Sequence, residues 1–82
     1  MIPVNKQFAI SSWVNDQFEI ASPRQLDDAP EDVDDYVHWV SDPNSGITGT
    51  VYLARHHRVY YSADDQGKLL WWDIGILPPN LR

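Results

Sequence analysis

The sequence predicts an α+β fold in which an antiparallel sheet of four or five strands packs against one helix. Three observations support this prediction: an apolar stripe of helical period, three β-rich runs in the second half, and turn signals between them. The length of 82 residues predicts a single domain spanning residues 1–82. A chain this short buries only about 60 to 65% of the surface of its unfolded form, and its ten aromatic rings are able to supply much of that buried area.

The N-terminal quarter has two interpretations. Residues 8–14 and 17–21 flank Asn15-Asp16 and are able to pair as a β-hairpin. Four apolar side chains of the same segment also fit the stripe of a helix: Ile10, Trp13, Val14 and Phe18. Periodicity alone does not decide between the two. We adopt the hairpin as the prediction and keep the helix as the alternative.

The next segment predicts an acidic amphipathic helix over about residues 29–41. Asp28 and Glu31 have the spacing of a capping box, and Pro30 suits a first helical turn because no donor is lost there. Apolar residues then follow at i, i+3, i+4 and i+7: Val33, Tyr36, Val37 and Val40. We expect the helix to end before Pro43, which disfavours helical dihedrals in the preceding residue.

The second half of the chain predicts the strands. Its β-rich runs are residues 47–54, 59–63 and 68–74. A turn over residues 64–67 predicts that Ala63 pairs with Lys68. That register sets three further pairs: Tyr61 with Leu70, Val59 with Trp72, and Arg58 with Asp73. It also places Tyr60 and Trp71 together on the outer face of the sheet.

The net charge of −6 is concentrated in one segment. Seven of the twelve acids lie between residues 27 and 42, where there is no Lys or Arg. The rest of the chain therefore holds five acids against six bases. Direct binding to nucleic acid is disfavoured because phosphate contacts need clustered Lys and Arg. A basic partner is favoured instead.

Motifs for catalysis or metal binding are weak. The absence of cysteine excludes disulfides and zinc-thiolate sites. His56 and His57 are adjacent, so on a strand they would point to opposite faces, and we expect neither a metal nor a cofactor. Carboxylates on the exposed side of a helix keep ordinary pKa values, which argues against acid/base catalysis. With no nucleophile elbow and no Gly-rich phosphate loop, we expect a protein that is not an enzyme.

The acids are better explained as a binding surface. Nine helical residues, 27–35, would span roughly 13 Å, a length over which duplex DNA displays about eight charges. Six carboxylates in that span have a comparable density. Exposed Trp and Tyr side chains are typical interface anchors. The predicted partner-binding residues are Asp28, Glu31, Asp32, Asp34, Asp35, Trp39, Tyr60 and Trp71.

These observations predict a cytoplasmic protein, in the producing or host cell, that inhibits a nucleic-acid-handling protein by covering its basic surface. Anti-CRISPR, anti-restriction and nuclease-immunity proteins are small acidic inhibitors of this general kind, and the analogy is one of size and charge. No apolar run suits a signal peptide or a membrane span, so no membrane partner is expected. The alternative is a structural subunit or homodimer in which the acids serve only solubility.

Overall fold

A computed structural model describes the backbone of residues 3–40 and 48–82, and the side chains of these residues except 35–40 and 48. Within this part of the chain there are one helix and five strands, which confirms the α+β class. The elements are α1 (Val4–Ile20), β1 (Arg24–Leu26), β2 (Val33–Val40), β3 (Thr48–Ala54), β4 (Arg58–Asp65) and β5 (Lys68–Ile76). Short 3-10 turns cover Arg55–His57 and Pro79–Leu81.

The strands form one antiparallel sheet in the order β1-β5-β4-β3-β2. Strands β2 to β5 are a meander of successive neighbours, whereas β1 joins on the far side of β5. The two strands that are adjacent in sequence, β1 and β2, are therefore the two opposite edges of the sheet. Residues 27–32, which connect them, pass from one edge to the other.

The predicted acidic helix over 29–41 is wrong, because residues 33–40 form strand β2. Two of its supposed stripe residues, Tyr36 and Val37, pair in register with Tyr52 and Val51 of β3. The segment VDDYVHWV is rich in β-branched and aromatic residues, which lose side-chain freedom in a helix and pack well in a sheet. The capping-box spacing of Asp28 and Glu31 occurs in the connection and starts no helix.

The helix lies instead at residues 4–20, so the predicted hairpin is wrong and the helical alternative is correct. Ile10 and Val14 are 1% and 2% exposed, and Phe18 continues the same stripe toward the end of α1. The meander leaves one sheet face apolar, and seventeen helical residues, about 25 Å long, are able to cross it. A two-stranded hairpin has no comparable apolar stripe to place there.

The core lies between α1 and one face of the sheet, which we call the inner face. Its buried residues are Ile10, Val14, Val51, Val59, Tyr61, Ile74 and Leu77. The Phe18 ring meets the rings of Tyr61 and Trp72 edge-on, with centroids 5.4 and 5.7 Å away. Because Leu77 joins this core, the apolar C-terminal segment packs on the helix side and does not cover the outer face.

The β4–β5 hairpin is shorter than predicted. Its loop is Gln66-Gly67, with φ of 53° and 84°, a two-residue turn whose twist matches that of the strands. Asp65 consequently pairs with Lys68, and the predicted pairs are wrong by two residues. An even shift keeps side chains on their predicted faces, so Tyr60 and Trp71 still share the outer face.

Tyr61 lies across Gly49 of the neighbouring strand. A Cβ atom at Gly49 would overlap the Tyr61 phenol and the carbonyl oxygen of Ser62. Glycine at this position leaves room for the ring, as expected where an aromatic side chain covers a strand glycine. The Tyr61 hydroxyl is buried and has no hydrogen-bond partner within the described residues, and the same holds for Ser11 in α1.

Candidate partner-binding surface

The acidic segment, residues 27–35, is an exposed connection followed by the start of an edge strand. Asp28 and Glu31 are exposed in the connection, and Asp34 is exposed in β2. Asp35 and Trp39 belong to β2 and pair with Leu53 and Gly49, but their side chains fall outside the described part of the chain.

The loss of the predicted helix changes the charge density of this segment, because residues 33–35 belong to β2 and residues 27–32 form a non-helical connection. Nine extended residues reach at most about 30 Å, more than twice the roughly 13 Å of the predicted helix. Over about 30 Å a single nucleic-acid strand displays about nine charges and a duplex about eighteen. At this upper limit of length, the six carboxylates of residues 27–35 come closer to the density of one strand than to that of a duplex.

Asp32 anchors the segment to the sheet. Its carboxylate atom Oδ2 accepts a hydrogen bond from the Tyr60 hydroxyl at 3.4 Å. Its backbone carbonyl accepts from the Arg55 amide, also at 3.4 Å. Asp32 is half-buried, unlike its exposed neighbours Glu31 and Asp34. We conclude that this acid has a structural contact in addition to its charge.

Tyr60 is more buried than an interface anchor would be. Only 8% of it is exposed, so the expectation of an accessible ring is wrong for this residue. Burial is the main reason that its pKa is raised, and the negative charge of Asp32 and the hydrogen bond to it raise the pKa further. The phenol therefore stays protonated and keeps donating to Asp32.

Trp71 is half-buried on the outer face, beside Tyr52 of β3. The two ring centroids are 4.9 Å apart and the ring planes are inclined by 40°. Tyr52 is not among the predicted partner-binding residues, although its alternation with the buried Val51 and the core-packed Leu53 indicates an outward position. The outer face thus carries an aromatic pair that neither α1 nor the C-terminal segment covers.

The arginines of the outer face already have an acidic partner. Nη1 of Arg58 donates to both carboxylate oxygens of Asp73, at 3.0 and 3.1 Å. Nη2 of Arg24 lies 3.8 Å from Oδ2 of the same carboxylate. The predicted contact between Arg58 and Asp73 is therefore present, although the register pairs Arg58 with Ile76. Within the described residues, the acids Asp27, Asp28, Glu31 and Asp34 form no ion pair.

Other possible sites are the adjacent histidines and an open cleft. His56 and His57 are exposed in the 3-10 turn, and the described residues include no group of three His, Asp or Glu side chains that could hold a metal. An open cleft between the start of α1 and the chain end has Lys6, Asn5 and Asn80 as its polar lining. Among the described helices, none has both the length and the apolar character needed to cross a membrane.

Comparison of the chain with protein-family models, curated proteins and solved structures finds no match.

Proposed function

We propose that this protein is a non-enzymatic cytoplasmic inhibitor whose acidic segment covers a basic surface of a nucleic-acid-handling protein. The proposal places it in the functional class of anti-CRISPR, anti-restriction or nuclease-immunity proteins. The partner is a protein, because the acidic segment would repel the phosphates of a nucleic acid.

One observation carries the proposal: four exposed carboxylates, those of Asp27, Asp28, Glu31 and Asp34, have no cationic partner in the described part of the chain. Arg24 and Arg58 contact Asp73 instead. A surface selected for stability alone would interleave charges of both signs, because opposite charges across strands attract and like charges repel.

The charge density of the acidic segment at full extension points to the kind of basic surface. A charge density close to that of one nucleic-acid strand suits a groove that normally holds a single phosphate backbone. Trp71 and Tyr52 on the outer face supply an aromatic pair of the type that dominates interface energetics.

A triple charge reversal tests this function. The variant Asp28→Lys, Glu31→Lys, Asp34→Lys changes three exposed acids of the segment. The control Asp16→Lys, Glu19→Lys, Asp64→Lys changes three exposed acids elsewhere and alters the net charge equally. The partner is captured from the lysate of the native host at low salt and released at high salt, and its displacement from nucleic acid by each protein is then measured.

We expect the first variant to lose about 100-fold or more in affinity, because long-range attraction to a basic surface depends on these charges. The control should lose less than about tenfold through net charge alone. Equal affinities for the two variants would contradict the proposal, as would a partner that the protein does not displace from nucleic acid.

The second candidate is a homodimer or structural subunit in which the acids serve only solubility. Its support is the length of the β2 edge, eight residues with no described strand on its outer side, whereas the acids in and before β2 oppose pairing with a second copy. Sedimentation at several concentrations separates the two functions. A stable dimer that salt does not dissociate would support the homodimer.

A further inference from the structure

The two edges of the sheet differ in length. Strand β1 has three residues, whereas β2 has eight and pairs with β3 from Val33 to Val40. No described strand pairs with the other side of β2. About half of the backbone N–H and C=O groups of an edge strand point away from the sheet, so β2 offers a row of donors and acceptors to another chain.

Charge limits which chain can pair there. The acidic segment runs directly into β2, with Asp32 just before the strand and Asp34 and Asp35 within it. A second copy of this protein would bring the same acids and a further net charge of −6 to the edge. Like charges near each other across strands are destabilising and opposite charges are stabilising. The edge therefore disfavours its own copies and favours a strand that carries Lys or Arg.

We propose that β2 accepts an extended, basic segment of the partner protein as a sixth strand of the sheet. This inference rests on the proposed function and specifies how the partner is held. Backbone hydrogen bonds to β2 supply affinity, as in other complexes formed by strand addition, and the acids select a basic segment. The acidic connection before β2 extends the same attraction past the end of the added strand.

The test uses a peptide of about nine residues, close to the length of β2, with the sequence Lys-Val-Lys-Val-Thr-Val-Lys-Val-Lys and blocked ends. One control peptide has Glu in place of every Lys. A second control keeps all the charges but is N-methylated at the central Val-Thr-Val, which removes amide donors from both of its edges. Affinities are measured by fluorescence anisotropy at about 50 mM and 300 mM salt, and amide hydrogen exchange is followed residue by residue.

We expect the parent peptide to bind at low salt and to slow exchange in β2 about tenfold or more, with β4 unchanged. The N-methylated peptide should bind at least about tenfold more weakly, and the Glu peptide should not bind. The control variant at residues 16, 19 and 64 should retain binding of the parent peptide.

Two outcomes would overturn this inference. Equal affinity for the parent and N-methylated peptides, with unchanged exchange in β2, would mean that charge acts without strand addition; the proposed function would then survive. Protection of β2 in the protein alone, rising with its concentration, would assign the edge to a second copy. Failure of the proposed function is recognised separately, by equal displacement activity of the two charge-reversed triple variants.

Discussion

The two faces of the sheet bury their residues by different means. On the inner face, Val51 and Val59 are fully buried beneath the apolar side of α1. On the outer face, Tyr60 and Ser62 are nearly as buried, although α1 does not cover them. Tyr60 donates a hydrogen bond to Asp32, and Ser62 pairs in register with Thr50 and Trp71. We infer that the inner face provides most of the stability, which leaves the outer face and the β2 edge available for charges that stability does not require.

The largest effect is expected at Gly49, which leaves room for the Tyr61 ring on the inner face. Gly49→Val should prevent folding or cost about 4 kcal/mol or more, because the new side chain would overlap the Tyr61 phenol and the Ser62 carbonyl. Thr50→Val at the next position should change stability by less than about 1 kcal/mol. Urea denaturation measures both. A loss below about 1 kcal/mol for Gly49→Val would show that Tyr61 is able to move aside.

Replacing isoleucine with alanine at two positions of α1 compares the side of the helix that packs on the sheet with the side that is exposed to solvent. Ile10→Ala should reduce the free energy of unfolding by about 3 kcal/mol, because Ile10 is fully buried. Ile20→Ala should change it by less than about 0.5 kcal/mol, because 79% of Ile20 is exposed. Chemical denaturation with an unchanged m-value gives both numbers. Similar losses at the two positions would contradict the placement of α1 on the sheet.

Tyr60 and Tyr61 are neighbours on opposite faces, so removing each hydroxyl compares the faces directly. Tyr61→Phe should stabilise the protein by about 1 kcal/mol, because its buried hydroxyl has no partner within the described residues. Tyr60→Phe should destabilise it by about 0.5 kcal/mol, because it removes the hydrogen bond to Asp32. Thermal and urea unfolding at neutral pH measure both variants. Changes of the same sign would contradict the difference between the faces.

The smallest effect is a loss of stability confined to alkaline pH. Burial raises the pKa of Tyr61, and burial together with Asp32 raises the pKa of Tyr60. A phenol with a higher pKa in the folded protein stabilises it fully below the unfolded pKa of 10.0, and this contribution is lost as the pH rises through the folded pKa. Unfolding measured from pH 8 to about pH 11 should show this decline.

Replacing Tyr60 or Tyr61 with Phe separates the contributions of the two phenols to the loss of stability at alkaline pH. Each single variant, Tyr60→Phe or Tyr61→Phe, should reduce the alkaline decline, and the double variant should reduce it further. An unchanged decline in the double variant would assign it to other groups.

The strands in the second half of the chain were predictable from the sequence, and the elements in the first half were not. The β-rich runs and Gly67 indicated β3, β4 and β5, because these signals are local. Residues 10–18 and 33–40 both show helical apolar spacing, and only the sheet decides between them. One becomes the helix because the inner face must be covered, and the other pairs with β3.

The candidate surface was predictable in part. Exposure of Asp28, Glu31 and Asp34 follows from their charge in a helix or in an extended chain. The burial of Tyr60 could not be derived from local sequence, because its partner Asp32 lies 28 residues earlier in the chain. The pair of Tyr52 and Trp71 likewise depends on the order of strands in the sheet.

The position of β1 has a consequence for the order in which the nascent chain becomes structured during synthesis. Arg24 of β1 pairs with Asp73 of β5, whereas the meander forms between consecutive strands. Contacts between distant residues form late, and a ribosome-bound chain folds only with residues that have already emerged. The acidic connection is therefore fixed at both ends only after β5 has left the ribosome. A nascent chain exposes these acids without their final spacing, so we expect the proposed partner to be engaged only after β5 has emerged from the ribosome.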